Sequence, residues 1–182
     1  MQRAAIAIVE YLLGFFALAV FAGYAFGTVS PSTGRLIAAF KLGSALAALE
    51  LLILVFRRNP TNRLIVGANL WLILGGIAAF TEQWWLLRIY ERFGEASLFA
   101  VMLAVGLVTT AATPSGFVAA TGTKRKVQLA SVALLAAVAG ALLLAIAYKG
   151  NIKVAAVLPV IGLSWLNRGL TQYAKSVARL QA

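Results

Sequence analysis

Six long apolar runs occupy most of this 182-residue chain, at approximately 4–28, 36–56, 64–80, 98–120, 127–148 and 154–166. A helix of about 20 apolar residues crosses a hydrocarbon core about 30 Å thick. The runs therefore predict an all-α integral membrane protein: residues 1–182 form one polytopic domain whose six transmembrane helices pack as a bundle. The first run is longer than the apolar core of a signal peptide, so it is expected to be a retained helix.

Apolar residues make up 62% of the chain and charged residues 12%, against about 25% charged in soluble domains. The net charge of +11, from 16 Lys and Arg against 5 acids, raises nucleic acid as a partner. The cations form neither a continuous stripe nor a groove-reading motif, so nucleic acid is not expected. Short basic loops facing anionic lipid account for them better. The chain has no Cys and no His, and its five acids, Glu10, Glu50, Glu82, Glu91 and Glu95, include no Asp. Thiol chemistry, Cys-based zinc sites, bis-histidine haem and Ser-His catalysis are excluded. Asp-held Mg²⁺ is disfavoured. No metal, cofactor or catalytic residue is expected, and an enzyme is the third-ranked reading.

The cations also orient the chain. Under six spans one side carries Arg3, Arg57, Arg58, Arg63, Lys124, Arg125, Lys126, Arg168, Lys175 and Arg179. The other carries Arg35, Lys41, Arg88, Arg92, Lys149 and Lys153, together with Glu82, Glu91 and Glu95. The positive-inside rule then places both termini in the cytoplasm. Lys149 and Lys153 are the exceptions to the pattern. The expected location is a bacterial inner membrane.

Between the third and fourth runs, Arg88, Glu91, Arg92 and Glu95 recur at helical spacing, with Trp85, Leu86, Ile89 and Phe93 on the other face. This predicts a short interfacial amphipathic helix before the fourth span, anchored by Trp84, Trp85 and Tyr90. The tail 167–182 repeats the design, with Arg168, Gln172, Lys175 and Arg179 in one stripe and Leu170, Tyr173, Val177 and Leu180 in another. No internal repeat is evident between the halves. The stretch from Gly116 to Lys124 has the wrong glycine spacing and setting for a phosphate loop.

Small residues predict helix packing. Ala19, Gly23 and Gly27 recur at four-residue spacing in the first run, and Ala39, Gly43 and Ala47 in the second. Such faces let helix backbones approach closely. They serve either packing within one bundle or a homo-oligomer or larger membrane complex.

Glu10 and Glu50 are the most informative polar positions. Glu50 shares a face with Ala39, Gly43 and Ala47, and Glu10 with Gly14 and Ala17. Both sit about six residues, or about 9 Å, inside the same membrane end. An ionisable residue within a span costs roughly 2.5–3.5 kcal/mol at the centre. Their two expected roles are a structural one, pairing with Arg57, Arg58 or Arg63 or snorkelling to the interface, and an ion, proton or cationic-solute site. Asn69 and the hydroxyls of Thr109, Thr110 and Thr113 complete the candidate pathway. Pro114 is expected to kink the fourth span, and Pro159 makes the sixth the least regular. Lys41 and Glu82 are the expected outer ion pair. The leading functional expectation is a small transporter or channel-like protein for an ion or small solute. The alternative is a non-catalytic subunit or assembly scaffold of an inner-membrane complex.

Overall fold

A computed structural model describes residues 15–27, 32–56 and 62–175, and 84% of these are helical, with no strand among them. The helices are α1 (Phe16–Phe26), α2 (Thr33–Phe56), α3 (Arg63–Phe80), α4 (Trp84–Phe93), α5 (Ala96–Ala112), α6 (Lys124–Ala147) and α7 (Leu158–Lys175). A π-helical turn, Lys153–Val157, leads into α7. Four segments are long and apolar enough to cross a membrane: α2, α3, α6 and the continuous 153–175 helix. The pair α4 and α5, bent by 101° at Gly94, makes a fifth if counted as one broken span. These segments turn large apolar side chains outward, with Val55 and Phe56 each 79% exposed, Trp165 75% and Leu143 67%. That is the surface of a protein whose solvent is lipid.

Six spans are not reached among the described residues. Of the first run only α1 is described, an 11-residue helix about 16 Å long, and Glu10 lies outside the described residues. The contacts divide the chain into two compact units, one from the segments up to α2 and residues 68–88, the other from residues 60–67 and from 89 onward.

In the first unit α1 packs on α2, and its buried face is Ala17, Phe21 and Ala25. The Ala19, Gly23 and Gly27 stripe, expected to serve either packing within the bundle or contact with another subunit, is exposed and does not make this contact. Both stripes have period four, but Phe21 fills the space over Gly43, where an added Cβ would meet Phe21 Cβ at 3.2 Å. A ring seated over a glycine outcompetes a glycine-lined face with nothing to bury. On α2, Ala39, Gly43 and Ala47 are all buried. The core is a cluster of rings, with Phe21–Phe40, Phe21–Trp71 and Phe40–Trp71 centroids 4.7, 5.2 and 5.3 Å apart. Arg35, near the start of α2, donates to the Tyr24 carbonyl at 2.7 Å and so closes the C-terminal turn of α1. Helix α3 ends where Glu82 adopts a left-handed φ of +55° and Gln83 N–H donates back to the Ala78 carbonyl at 2.9 Å.

In the second unit α6 packs against α5 and α7 around Phe99, Met102, Phe117, Leu134 and Val138. The fourth apolar run does not continue as one kinked helix to residue 120. Pro114 pushes Thr113 into extended backbone (φ −129°, ψ 142°), and α5 stops at Ala112. The chain then folds back as a buried loop, with Phe117, Val118, Ala119 and Ala120 each at most 6% exposed. Pro159 has the opposite outcome. The preceding turn widens, Leu158 N–H bonds to the Lys153 carbonyl, and the helix runs on to Lys175 without a break. The wide turn relieves the clash that a proline ring makes with the carbonyl four residues earlier. Residues 167–175 are thus the last turns of α7, and the rest of the expected tail, 176–182, lies outside the described residues. Lys149, out of place by charge counting, has a local use: its ammonium donates to the Glu91 and Arg92 carbonyls at 3.1 and 2.7 Å, capping α4.

Candidate functional site

Glu50 lies six residues before the end of α2, and its carboxylate is only partly buried. Both of its oxygens are engaged within the first unit. Oε1 accepts the Ala17 backbone N–H at 2.8 Å, and Oε2 accepts Asn69 Nδ2 at 2.9 Å. Ala17 is in the first turn of α1, where helical N–H groups have no intrahelical partner. A carboxylate there satisfies a donor and meets the positive end of the helix dipole. The N-cap residue Phe15 has no side chain able to do this, so Glu50 caps α1 from another helix. Asn69 is held by α3 and is 0% exposed. Its amide donates to Glu50 while its Oδ1 is buried without a hydrogen-bond partner among the described residues. The arrangement is a carboxylate beside an unsatisfied amide carbonyl, two oxygens suited to a proton, a cation or a hydrogen-bond donor.

The other expected residues have local uses. Thr109, Thr110 and Thr113 belong to the second unit, and their hydroxyls donate to the carbonyls of Val105, Gly106 and Thr109 at 2.7, 2.7 and 2.6 Å. Each hydroxyl bonds back to a carbonyl of its own helix, the usual recourse of Thr in an apolar span, and Thr113 Oγ1 is in addition an acceptor for Arg63. Lys41 places its ammonium 5.3 Å from the Phe80 ring centroid, a cation–π contact in place of the expected partnership with Glu82. Glu82 serves instead as the left-handed residue that ends α3.

Arg63, expected as a partner for the glutamates, is used elsewhere. Its guanidinium donates to Thr113 Oγ1 at 2.7 Å, to Ser115 Oγ at 2.8 Å and to the Gly116 carbonyl. It therefore ties the buried 113–120 loop to the first turn of α3. Beside it Asn62 Oδ1 caps α3 by accepting Leu64 N–H at 3.1 Å and also accepts Asn167 Nδ2 at 3.1 Å. The sequence signal for this latch is the Thr113-Pro114-Ser115-Gly116 run, whose polar groups stand around a proline able to end the helix before it. Comparison of the chain with protein-family models, curated proteins and solved structures finds no match.

Proposed function

We propose that this chain is a small polytopic protein of a bacterial inner membrane, with six spans, both termini cytoplasmic and α4 lying in the interface, that moves an ion or small solute. Glu50 and Asn69 form its site. The observation that supports this reading is the Asn69 carbonyl, buried and without a hydrogen-bond partner among the described residues, on the same amide that donates to Glu50. A buried acceptor left unsatisfied costs roughly 1–3 kcal/mol. A guest that supplies a proton, a cation or a donor beside the carboxylate recovers that cost, so the vacant acceptor favours occupancy. Glu50 is partly exposed, which gives such a guest an approach.

The test is flux in reconstituted vesicles. Wild-type protein is expected to dissipate an imposed proton or monovalent-cation gradient, and Glu50→Gln, which keeps size and an acceptor oxygen for Ala17, to lose at least tenfold of that rate while remaining folded. Equal flux from the two proteins, or none from the wild type, refutes the reading.

A second reading, a non-catalytic subunit or assembly scaffold, is favoured by a separate observation: the hydroxyls of Thr109, Thr110 and Thr113 donate back to backbone carbonyls, and Thr113 Oγ1 is also taken up by Arg63. It predicts a silent wild type in the flux assay and unchanged folding in Glu50→Gln.

A further inference from the structure

The contacts within the second unit gather cations from three separate chain segments at one end. Arg63 opens α3 and is bonded to the 113–116 loop. That loop packs on the first turns of α6, since a Cβ at Gly116 would meet Val127 and Ser131. Gly122 likewise abuts the Ala174 carbonyl of α7, and Lys126 lies over the Tyr173 ring at 5.3 Å. Thr171 closes the same end by donating to the Val118 carbonyl at 3.3 Å. Arg63, Lys124, Arg125, Lys126, Arg168 and Lys175 are thereby collected at one end of the α5–α6–α7 bundle, and Lys124, Arg125, Arg168 and Lys175 are exposed. The described acids of this unit, Glu91 and Glu95, lie at its other end beside Lys149.

Three features show that, among the described residues, no carboxylate answers these charges. Lys124, Arg125 and Lys126 occupy the first turn of α6, and its N-cap Thr123 makes no side-chain cap bond. Cations in a first turn oppose the helix dipole, so this placement needs an outside anion to be favourable. Arg63, also in a first turn, is met only by two hydroxyls and a carbonyl, none of them charged. Finally, the cations border outward-facing apolar surface: Leu129 is 54% exposed and Val132 58% on α6, and Trp165 75% and Tyr173 49% on α7. A soluble anion has no use for such a rim, whereas a phospholipid presents a phosphate above acyl chains in the same order.

We propose that this end is a docking surface for anionic phospholipid headgroups, with Lys124, Arg125, Lys126, Arg168 and Lys175 as its phosphate contacts. The proposal rests on the membrane-embedded part of the reading above and not on transport, so the Glu50 flux assay and the lipid assay fail independently. Each cation near an anionic membrane surface is worth about fivefold in binding, the equivalent of about 1 kcal/mol.

The test is native mass spectrometry of the full chain released from nanodiscs of equal parts phosphatidylglycerol and phosphatidylcholine. Wild-type protein is expected to retain phosphatidylglycerol preferentially. The triple variant Lys124→Gln/Arg125→Gln/Lys126→Gln should lose at least tenfold of that preference with an unchanged melting curve in zwitterionic detergent. If the triple variant is unstable, Arg168→Gln/Lys175→Gln, on the other helix, is expected to lower the preference in the same way. Equal retention of both lipids by the wild type, or undiminished preference in folded variants, overturns the proposal. Displacement of phosphatidylglycerol by millimolar inorganic phosphate also overturns it, because the site would then belong to a soluble anion.

Discussion

Replacing Gly75 by Ala should weaken the first unit by crowding one ring. The added methyl would fall inside 3.0 Å of two Phe40 ring carbons and 3.1 Å from a third. Phe40 is 1% exposed and is wedged between Phe21 at 4.7 Å and Trp71 at 5.3 Å, so it has no open side to swing into. Overpacking of this kind costs about 1–3 kcal/mol. Alanine in place of glycine inside a helix returns about 0.8–1 kcal/mol, which leaves a net loss of roughly 1 kcal/mol. Gly140 on α6 supplies the control, because nothing lies within 4 Å of a Cβ built there, and Gly140→Ala should be stabilising.

The difference between the two variants cancels the helix-propensity gain and isolates the crowding, about 1–3 kcal/mol. Unfolding by SDS in mixed micelles, followed by tryptophan fluorescence, measures it. Adding Phe40→Leu to Gly75→Ala should show a favourable coupling of about 0.5 kcal/mol or more, since the pair is in direct contact. If Gly75→Ala and Gly140→Ala shift the midpoint equally and in the same direction, the tight ring contact does not exist.

Two further substitutions probe local roles. Glu82→Gly should stabilise the protein by roughly 0.5–1 kcal/mol in the same unfolding assay, because glycine relieves the left-handed backbone at the end of α3; a loss would mean that the carboxylate pairs with Lys41 after all. Arg63→Lys keeps the charge but not the fork that holds Thr113, Ser115 and Gly116 together, leaves the Gly116 carbonyl to the Ala119 N–H, and should cost about 1–3 kcal/mol. Its signature is faster amide exchange across 113–123, and unchanged protection there would show that charge alone holds the loop.

The helical class and the presence of several membrane-length segments were legible because apolar run length is a direct measure of what lipid requires. Where each helix stops was not, since that depends on how freed backbone groups are answered. Pro114 and Pro159 look alike in sequence, yet one ends a helix and the other sits at a π-turn that lets its helix continue. The difference lies in Arg63 and the Ser115 and Gly116 oxygens, which stabilise a loop after Pro114, while nothing comparable waits beyond Pro159. The choice between two period-four stripes on α1 was equally closed to sequence reasoning. Composition favours the glycines, and only the position of Gly43 beneath Phe21 selects the other face. Of the candidate site, Glu50 and Asn69 come together because α2 and α3 place them so. The capping of α1 by Glu50 could not be read, because it requires knowing that a helix begins at Phe16 inside an apolar run.

The polar side chains of this protein share an economy that sharpens the case for Asn69. A helix in lipid satisfies its own backbone except at its ends, and the polar groups cluster there. Glu50 closes the start of α1, Arg35 its finish, Asn62 the start of α3, Lys149 the finish of α4, and Arg63 the loop after α5. Three described and buried side-chain atoms fall outside this accounting: Asn69 Oδ1, Ser131 Oγ and Asn167 Oδ1. Ser131 is pressed against Gly116, where there is no room even for a methyl group, and Asn167 already fastens α7 to the α3 cap through its other arm. Asn69 differs from both, because its other arm is spent on a carboxylate that already has a backbone donor in Ala17. Its removal would cost Glu50 one donor of two, which a structural role alone could meet with a simpler hydroxyl. An amide is the group that can hold the carboxylate and still offer an oxygen to a guest, and for that reason Asn69, more than the threonines, is where a test of the proposed ion site should begin.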